Sequence, residues 1–268
     1  MSDVPIGAGL SSSAAVECAT LTTLADLGGL DIAPLDRAKL ARRAENEFVG
    51  APTGLMDQAA STLCTEGHAL FLDCRTFAAD QVGLDLAGSG LELLVLDTNT
   101  PHALVDSEYA TRRTSCEDAA GLLGVAALRD LAVADLDAAL TGLADDEMRR
   151  RVRHVVTEND RVLQAVELLQ AGRVRDVAPL LDASHVSMRD DFEITVPTID
   201  LAVQTARSAG ALGARMTGGG FGGCIIALCE TGTAPAVVSA IERAFAAADF
   251  DAPSHFVAVP SAGAGRVG

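Results

Sequence analysis

No loop of the form Gly-x-x-x-x-Gly-Lys-Ser/Thr occurs in this 268-residue chain, and Lys39 is its only lysine. The common mononucleotide-binding loop, whose lysine reaches the terminal phosphates, is therefore excluded. Basic residues are scarce overall: 20 Lys and Arg stand against 37 Asp and Glu, a formal net charge of −17. That balance argues against nucleic acid as a partner, because phosphate backbones are held mainly by Lys and Arg. A nucleotide bound here needs local donors, since no general basic field exists. None of the six cysteines forms a Cys-x-x-Cys pair, and several lie in apolar runs such as Cys224 to Cys229. They read as buried free thiols in a reducing compartment. The five histidines are scattered without ligand spacing, so no zinc-type centre is expected. The first basic residue is Arg37, so no positively charged region of a secretory signal is visible. The longest apolar run, Ala119 to Leu128, falls short of the ~18 residues that span a bilayer. These absences point to a cytoplasmic protein without a membrane segment.

Two glycine-rich loops stand out against this background. The first runs from Pro5 through Gly7, Ala8, Gly9 and Leu10 to Ser11, Ser12, Ser13, Ala14 and Ala15, and leads into an apolar, alanine-rich segment. A glycine loop that opens a helix aims free N–H groups and the positive end of the helix dipole at one point, which suits a phosphate. The second, Met216 to Cys224, contains Gly218, Gly219, Gly220, Gly222 and Gly223.

Periodicity and breakers predict helices over 11–27 (its first-turn serines as caps), 35–48, 55–64, 104–123, 147–170, 174–188, 199–208 and 234–247. Short apolar runs at 69–73, 91–97, 211–216, 224–228 and 255–259 read as strands, with 75–90 a loop or hairpin. The order is mixed α and β without regular βαβ alternation. A boundary is expected near residue 100, where Asp97-Thr98-Asn99-Thr100-Pro101 interrupts the pattern.

The two loops, in this order, resemble two motifs of the GHMP small-molecule kinases, and within them the galactokinases. The same resemblance is carried by Ala44-Glu45-Asn46-Glu47-Phe48, Gly54-Leu55-Met56-Asp57-Gln58, Asp97-Thr98-Asn99 with His102, and Ser107-Glu108-Tyr109. It continues through Arg153-His154 to Asn159, Ser184-His185 with Arg189-Asp190-Asp191, and Pro260-Ser261-Ala262-Gly263. The resemblance implies an α+β, two-domain GHMP kinase fold: residues 1–100 as the remainder of a truncated N-terminal, phosphate-binding domain, and 101–268 as the C-terminal domain. Family members carry a segment of the form GRVNLIGEHxDY ahead of the first loop, and residues 1–4 do not contain it. The sequence is thus expected to be a fragment or to start at an internal Met.

The resemblance also implies the chemistry: ATP and Mg²⁺ as cofactors and transfer of the γ-phosphate to the C1 hydroxyl of galactose. Pro5, Gly7, Ala8, Gly9, Leu10, Ser11, Ser12, Ser13 and Ala14 would cradle the ATP phosphates. Ser13 and Glu45 would contact Mg²⁺, whose preference for oxygen ligands suits them. Asp57 would accept the hydroxyl proton. Gly54, Asp57 and Tyr109, the only tyrosine, would line the sugar pocket. The second loop's glycines would shape the site through close backbone approach. On the residues alone, Glu45 could equally be a solvated helix charge beside Arg42 and Arg43, and Asp57 an early-helix carboxylate at the dipole. Arg153, His154, Glu158 and 184–191 read as structural ion pairs. The expected partners are small molecules, with no nucleic acid or membrane and a monomeric state. Alternatives are a kinase of arabinose or N-acetylgalactosamine, a non-catalytic sugar- and ATP-binding sensor, and an incomplete domain that exposes apolar surface.

Overall fold

The computed structural model describes residues 4, 10–50, 53–100 and 105–266, with the side chains of 105–107 and 109 outside that description. The alanine-rich stretch behind the first loop forms α1 (Ser12–Gly28). Pro34, whose missing N–H costs nothing at a first turn, opens α2 (Pro34–Ala44). The helix then widens into a π-type turn over Glu45–Val49. Helix α3 (Met56–Leu63) follows. Ala38, Leu55 and Ala59 form the core between α2 and α3, and α1 packs against both helices. The strand expected at 69–73 is β1 (His68–Leu72), and the segment 75–90, expected as loop or hairpin, supplies one strand, β2 (Ala79–Gly83), which pairs antiparallel with β1.

Strand β3 (Leu91–Asp97) leads to α4 (Val105–Leu123), and a short α5 (Leu136–Thr141) precedes the long α6 (Asp146–Gln170). Asp145 caps α6 by accepting from the Met148 N–H at 2.8 Å. Helix α4 packs on α6 through Ala119, Ala120, Val152 and Val156. Next come α7 (Ala178–Ser187), a second π-type turn over Met188–Phe192, and α8 (Pro197–Ser208). The chain closes with β4 (Gly213–Met216), β5 (Cys224–Glu230), α9 (Ala234–Ala247) and β6 (Ser254–Ala258).

The main sheet has the order β4-β5-β3-β6, every pair antiparallel. Leu94 sits opposite Ala227 in β5 and Val257 in β6. Leu94, Leu96, Ile225 and Ala227 pack against Ile199 and Val203 of α8 and against Val237, Ile241 and Phe245 of α9. Other sheet residues, Leu91 and Leu228, pack with Val174 and Ala178. Helix α7 lies so close over β4 that a Cβ at Gly213 would come 2.2 Å from the Ala178 carbonyl oxygen. Edge strand β4 has one N–H satisfied from outside the sheet, because Asp182 accepts from Ala214 at 2.9 Å. Among the described residues no helix is long and apolar enough to cross a membrane.

Candidate active site

The first loop meets the protein at the start of α1. Pro5, Gly7, Ala8 and Gly9 lie outside the described residues. Leu10 is partly buried against Val95 and Cys224, which places the end of the first loop beside the last residue of the second. The expected serine caps are not what forms. Ser11 takes a left-handed conformation, φ 57° and ψ 45°, and no side chain caps α1. A capping side chain needs its backbone in the extended region, and a left-handed residue turns its hydroxyl away from the first-turn N–H groups. Among the described residues those N–H groups of Ser12, Ser13 and Ala14 therefore keep the orphan status that suits an anion.

Ser13 instead reaches across 32 positions and donates to Glu45 Oε1 at 2.7 Å. Glu45, at the mouth of the π-type turn, is 7% exposed. Its Oε2 accepts from Gln58 Nε2 at 2.6 Å and from Thr53 Oγ1 at 3.1 Å. Thr53 is itself held by Asn46, whose Oδ1 accepts from its N–H at 3.2 Å and, 3.0 Å from its hydroxyl oxygen, shares the one hydroxyl proton with Glu45. Arg42 and Arg43 take no part: Arg42 lies over the Phe77 ring and Arg43 pairs with Glu47. Glu45 is thus not a solvated helix charge. Among the described residues it is a buried carboxylate with three neutral donors and no cationic partner, which is costly without a compensating charge.

Gln58 is fully buried on α3, and its Nε2 also reaches Glu17 Oε2 at 3.3 Å. Burial raises the Glu17 carboxyl above the usual carboxylate range; the Gln58 hydrogen bond opposes this, and the nearby Glu45 charge reinforces it. Asp57 stands beside Gln58 in the first turn of α3, half-buried, and its carboxylate makes no hydrogen bond or ion pair among the described residues. Gly54 is exposed, and a Cβ there would point into open space. The backbone of Tyr109 lies on α4, but its side chain lies outside the description. The C-terminal tail fastens the far end of α3: Gly263 donates to the Cys64 carbonyl at 2.8 Å and Ala264 to that of Ser61 at 2.6 Å.

The second loop is held from three sides. The Thr98 N–H and hydroxyl both donate to the Gly223 carbonyl, at 3.0 and 2.8 Å. The Phe221 N–H donates to the Ile194 carbonyl at 2.7 Å. Arg112, one turn beyond Tyr109, donates to the carbonyls of Phe192 and Glu193 at 2.8 and 3.1 Å and lies 5.8 Å from the Phe221 ring centroid. Gly218, Gly220, Gly222 and Gly223 have positive φ, whereas Gly219 is not among the positive-φ residues. At Gly222 a Cβ would come 2.9 Å from the Thr100 carbonyl oxygen.

Behind this loop lies a polar cluster that the sequence marked only as ion pairs. Arg151, 1% exposed, donates to the Asp191 carbonyl at 2.5 Å, to Glu147 at 2.9 Å and to Glu193 at 2.8 Å. Ser187 donates to Asp191 Oδ2 at 3.1 Å, so its oxygen accepts from His154 Nδ1 at 3.0 Å and that nitrogen carries the proton. The His154 ring stacks on Phe192 with centroids 4.4 Å apart. Glu158 accepts from Ser184 at 2.5 Å, Arg161 at 2.7 Å and Arg215 at 3.1 Å. Burial alone would raise its pKa, but the Ser184 hydrogen bond and the two arginines outweigh it and leave it lowered. A signal for the cluster exists in the sequence: a run of four arginines lies within 149–153, and three of them, Arg150, Arg151 and Arg153, reach Asp191 or Glu193 some forty positions on.

Burial pushes His154 down to about 4, with Glu158 and Asp191 opposing and Arg161 and Arg215 assisting. Between its ordinary unfolded value of about 6.5 and this folded value, the unfolded chain binds a proton that the folded chain refuses. Stability from this residue is complete above about pH 6.5 and falls as pH drops toward 4. In urea melts at pH 7 and pH 4.5, His154→Gln is expected to shrink the acid-side loss by about 2 kcal/mol. An unchanged difference would refute the assignment.

Residues 1–65 match the family described as GHMP kinases N terminal domain, and residues 165–247 match that described as GHMP kinases C terminal. A galactokinase of Streptomyces coelicolor is 54% identical over 267 residues, covering 99% of this chain and 69% of its own length. A Mycobacterium tuberculosis galactokinase is 46% identical over 263 residues, 97% of this chain and 72% of its own. The crystal structure of Lactococcus lactis galactokinase complexed with galactose matches with a TM-score of 0.92 at 33% identity, over 98% of this chain and 69% of that one. This chain spans about two thirds of the length of the relatives it matches, at 69% and 72% for the two named. Likeness at that identity, along almost every residue and in the fold as well as the sequence, means that the chain belongs to the galactokinase family of the GHMP kinases.

Proposed function

We propose that this chain holds the phosphates, the cation and the proton acceptor for ATP-dependent phosphorylation of galactose at its C1 hydroxyl, giving galactose 1-phosphate and ADP. The observation that carries the reading is the Ser13–Glu45 contact at the uncapped start of α1, with Asp57 beside Gln58, the residue that binds Glu45. The first-turn N–H groups and the glycines before them would receive the ATP phosphates.

The donor set fits Mg²⁺. Ser13 Oγ and Glu45 Oε1 are hard oxygen ligands 2.7 Å apart, near the roughly 3 Å edge of an octahedron with bonds of about 2.1 Å. Among the described residues no group of three or more His, Cys, Asp or Glu side chains could hold a metal ion. Two protein ligands completed by phosphates and water is the usual Mg²⁺ arrangement, and the bound ion would neutralise phosphate charge. Asp57, free of partners among the described residues, would orient the sugar hydroxyl and take its proton. Gly54 and Tyr109 would line the sugar pocket, and Gly218, Gly219, Gly220, Gly222 and Gly223 would set its shape. We further propose the division into 1–100 and 101–268, with β3 joining the two parts in the main sheet, and a monomeric, cytoplasmic protein whose partners are ATP and galactose.

The test is galactose-dependent ADP release by the chain, with melting temperatures measured beside it in ADP, Mg²⁺ and galactose. Release that needs galactose and Mg²⁺ and vanishes in Asp57→Ala is the expected result. Stabilisation by both ligands without release would favour the sugar- and nucleotide-binding sensor. Neither release nor stabilisation would overturn the reading.

A further inference from the structure

We propose that Gln58 is a positioning residue that aims the Glu45 carboxylate at the cation accompanying the nucleotide phosphates. The proposal rests on the reading just given. Gln58 has little freedom. Its side chain is fully buried, and its backbone carbonyl accepts from Thr62 Oγ1 at 2.8 Å and from Cys18 Sγ at 3.9 Å. Its amide nitrogen spans two carboxylates, 2.6 Å from Glu45 Oε2 and 3.3 Å from Glu17 Oε2. The amide cannot be reversed, because its oxygen would then face both carboxylates. Its Oε1 consequently stays buried without a partner in this structure, a burden a side chain with only a packing role would not carry.

Thr53 adds a second donor to the same oxygen, so Oε2 is occupied by Gln58 and Thr53 while Oε1 alone faces Ser13. A half turn of the carboxylate only exchanges two equivalent oxygens, whereas any smaller rotation would weaken the bonds from Gln58 and Thr53 to the inner oxygen. One oxygen is thereby reserved for the cation, and its neighbour on Ser13 is set at the same time. The neutrality of the donors matters as much as their placement. An arginine at position 58 would cancel the Glu45 charge, whereas an amide fixes the geometry and leaves that charge available. Outer partners of this kind commonly set metal affinity without touching the metal. Because Asp57 precedes Gln58 on α3, the same helix sets the cation carboxylate and the proton acceptor.

The test uses Mn²⁺ as a spectroscopic probe for Mg²⁺, with ADP bound to the full chain. Gln58→Met keeps length and apolar bulk but removes the donor. It is expected to weaken Mn²⁺ binding in the presence of ADP by about 10-fold or more. Metal-free ADP and galactose should bind within about twofold of the parent. Thr53→Val, at a less buried position, is expected to weaken Mn²⁺ by a smaller factor, and it serves if Gln58→Met fails to fold. Unchanged Mn²⁺ affinity in a folded variant overturns the proposal. So does an equal loss of galactose, metal-free ADP and Mn²⁺ affinity, since that is the mark of a merely structural role. A parent chain that binds no Mn²⁺ with ADP sinks the underlying functional reading as well, and that failure is visible before any variant is made.

Discussion

Asp57→Asn is expected to lower kcat for galactose phosphorylation by about 10²–10⁴-fold, the usual contribution of a positioned general base. Asparagine keeps the size of the side chain and can still accept a hydrogen bond from the sugar hydroxyl, but it cannot remove the proton. The loss should therefore fall on kcat, with KM for galactose changing no more than a few-fold. The placement supports this split. Asp57 is half-buried in the first turn of α3, and no described side chain competes for its carboxylate. Helix α3 is also prevented from rotating, because Gln58 is bonded to Glu45 and the C-terminal tail is bonded to Ser61 and Cys64. A variant retaining kcat within tenfold of the parent would remove Asp57 from the chemistry. In that case positioning and phosphate neutralisation would have to supply the rate.

Much of the fold was legible because its boundaries are local. Pro34 opens α2, Gly172 follows the end of α6, and the apolar runs at 91–97 and 224–228 lie within a residue or two of the strands observed. What local pattern could not carry was pairing. Strand β3 bonds to β5 and β6, more than a hundred positions away, and nothing in its own seven residues names those partners. Helix α5 and the neighbouring single turns are too short to show a period. The site divides in the same way. Glycine loops announce themselves, but Ser13 meeting Glu45 across 32 positions was reached only through resemblance. The left-handed Ser11 ran against the ordinary reading of serine as a cap. The π-type turn at Glu45–Val49 looks like the plain end of the helix expected over 35–48, and that at Met188–Phe192 extends past the end of the helix expected over 174–188. Such turns gather at functional places, and here one presents Glu45 while the other leads into the segment that seats the second glycine loop.

That loop gives the largest stability effect. Gly220→Ala is expected to destabilise the chain by about 2–4 kcal/mol, combining a disfavoured backbone with a clash in packed surroundings. Gly220 has φ 90°, a conformation that side chains with a Cβ rarely adopt. A Cβ there would come 2.7 Å from the Ile194 carbonyl oxygen and 2.8 Å from the Ile194 Cβ. Neither obstacle is a flexible side-chain end. The same carbonyl accepts from the Phe221 N–H at 2.7 Å, so moving Ile194 away breaks the bond that holds the loop. Arg112 and Arg151 anchor residues 191–193, immediately before Ile194, which leaves that segment little room to yield. In thermal melts the variant should unfold roughly 5–15 °C below the parent. Gly54→Ala supplies the contrast. A Cβ at Gly54 meets nothing within 4 Å, so its melting temperature should match the parent. If Gly54 lines the sugar pocket, that variant should instead raise KM for galactose. A Gly220→Ala protein as stable as the parent would show that the loop is looser than its contacts with Ile194 imply. A Gly54→Ala protein with unchanged KM would remove Gly54 from the pocket.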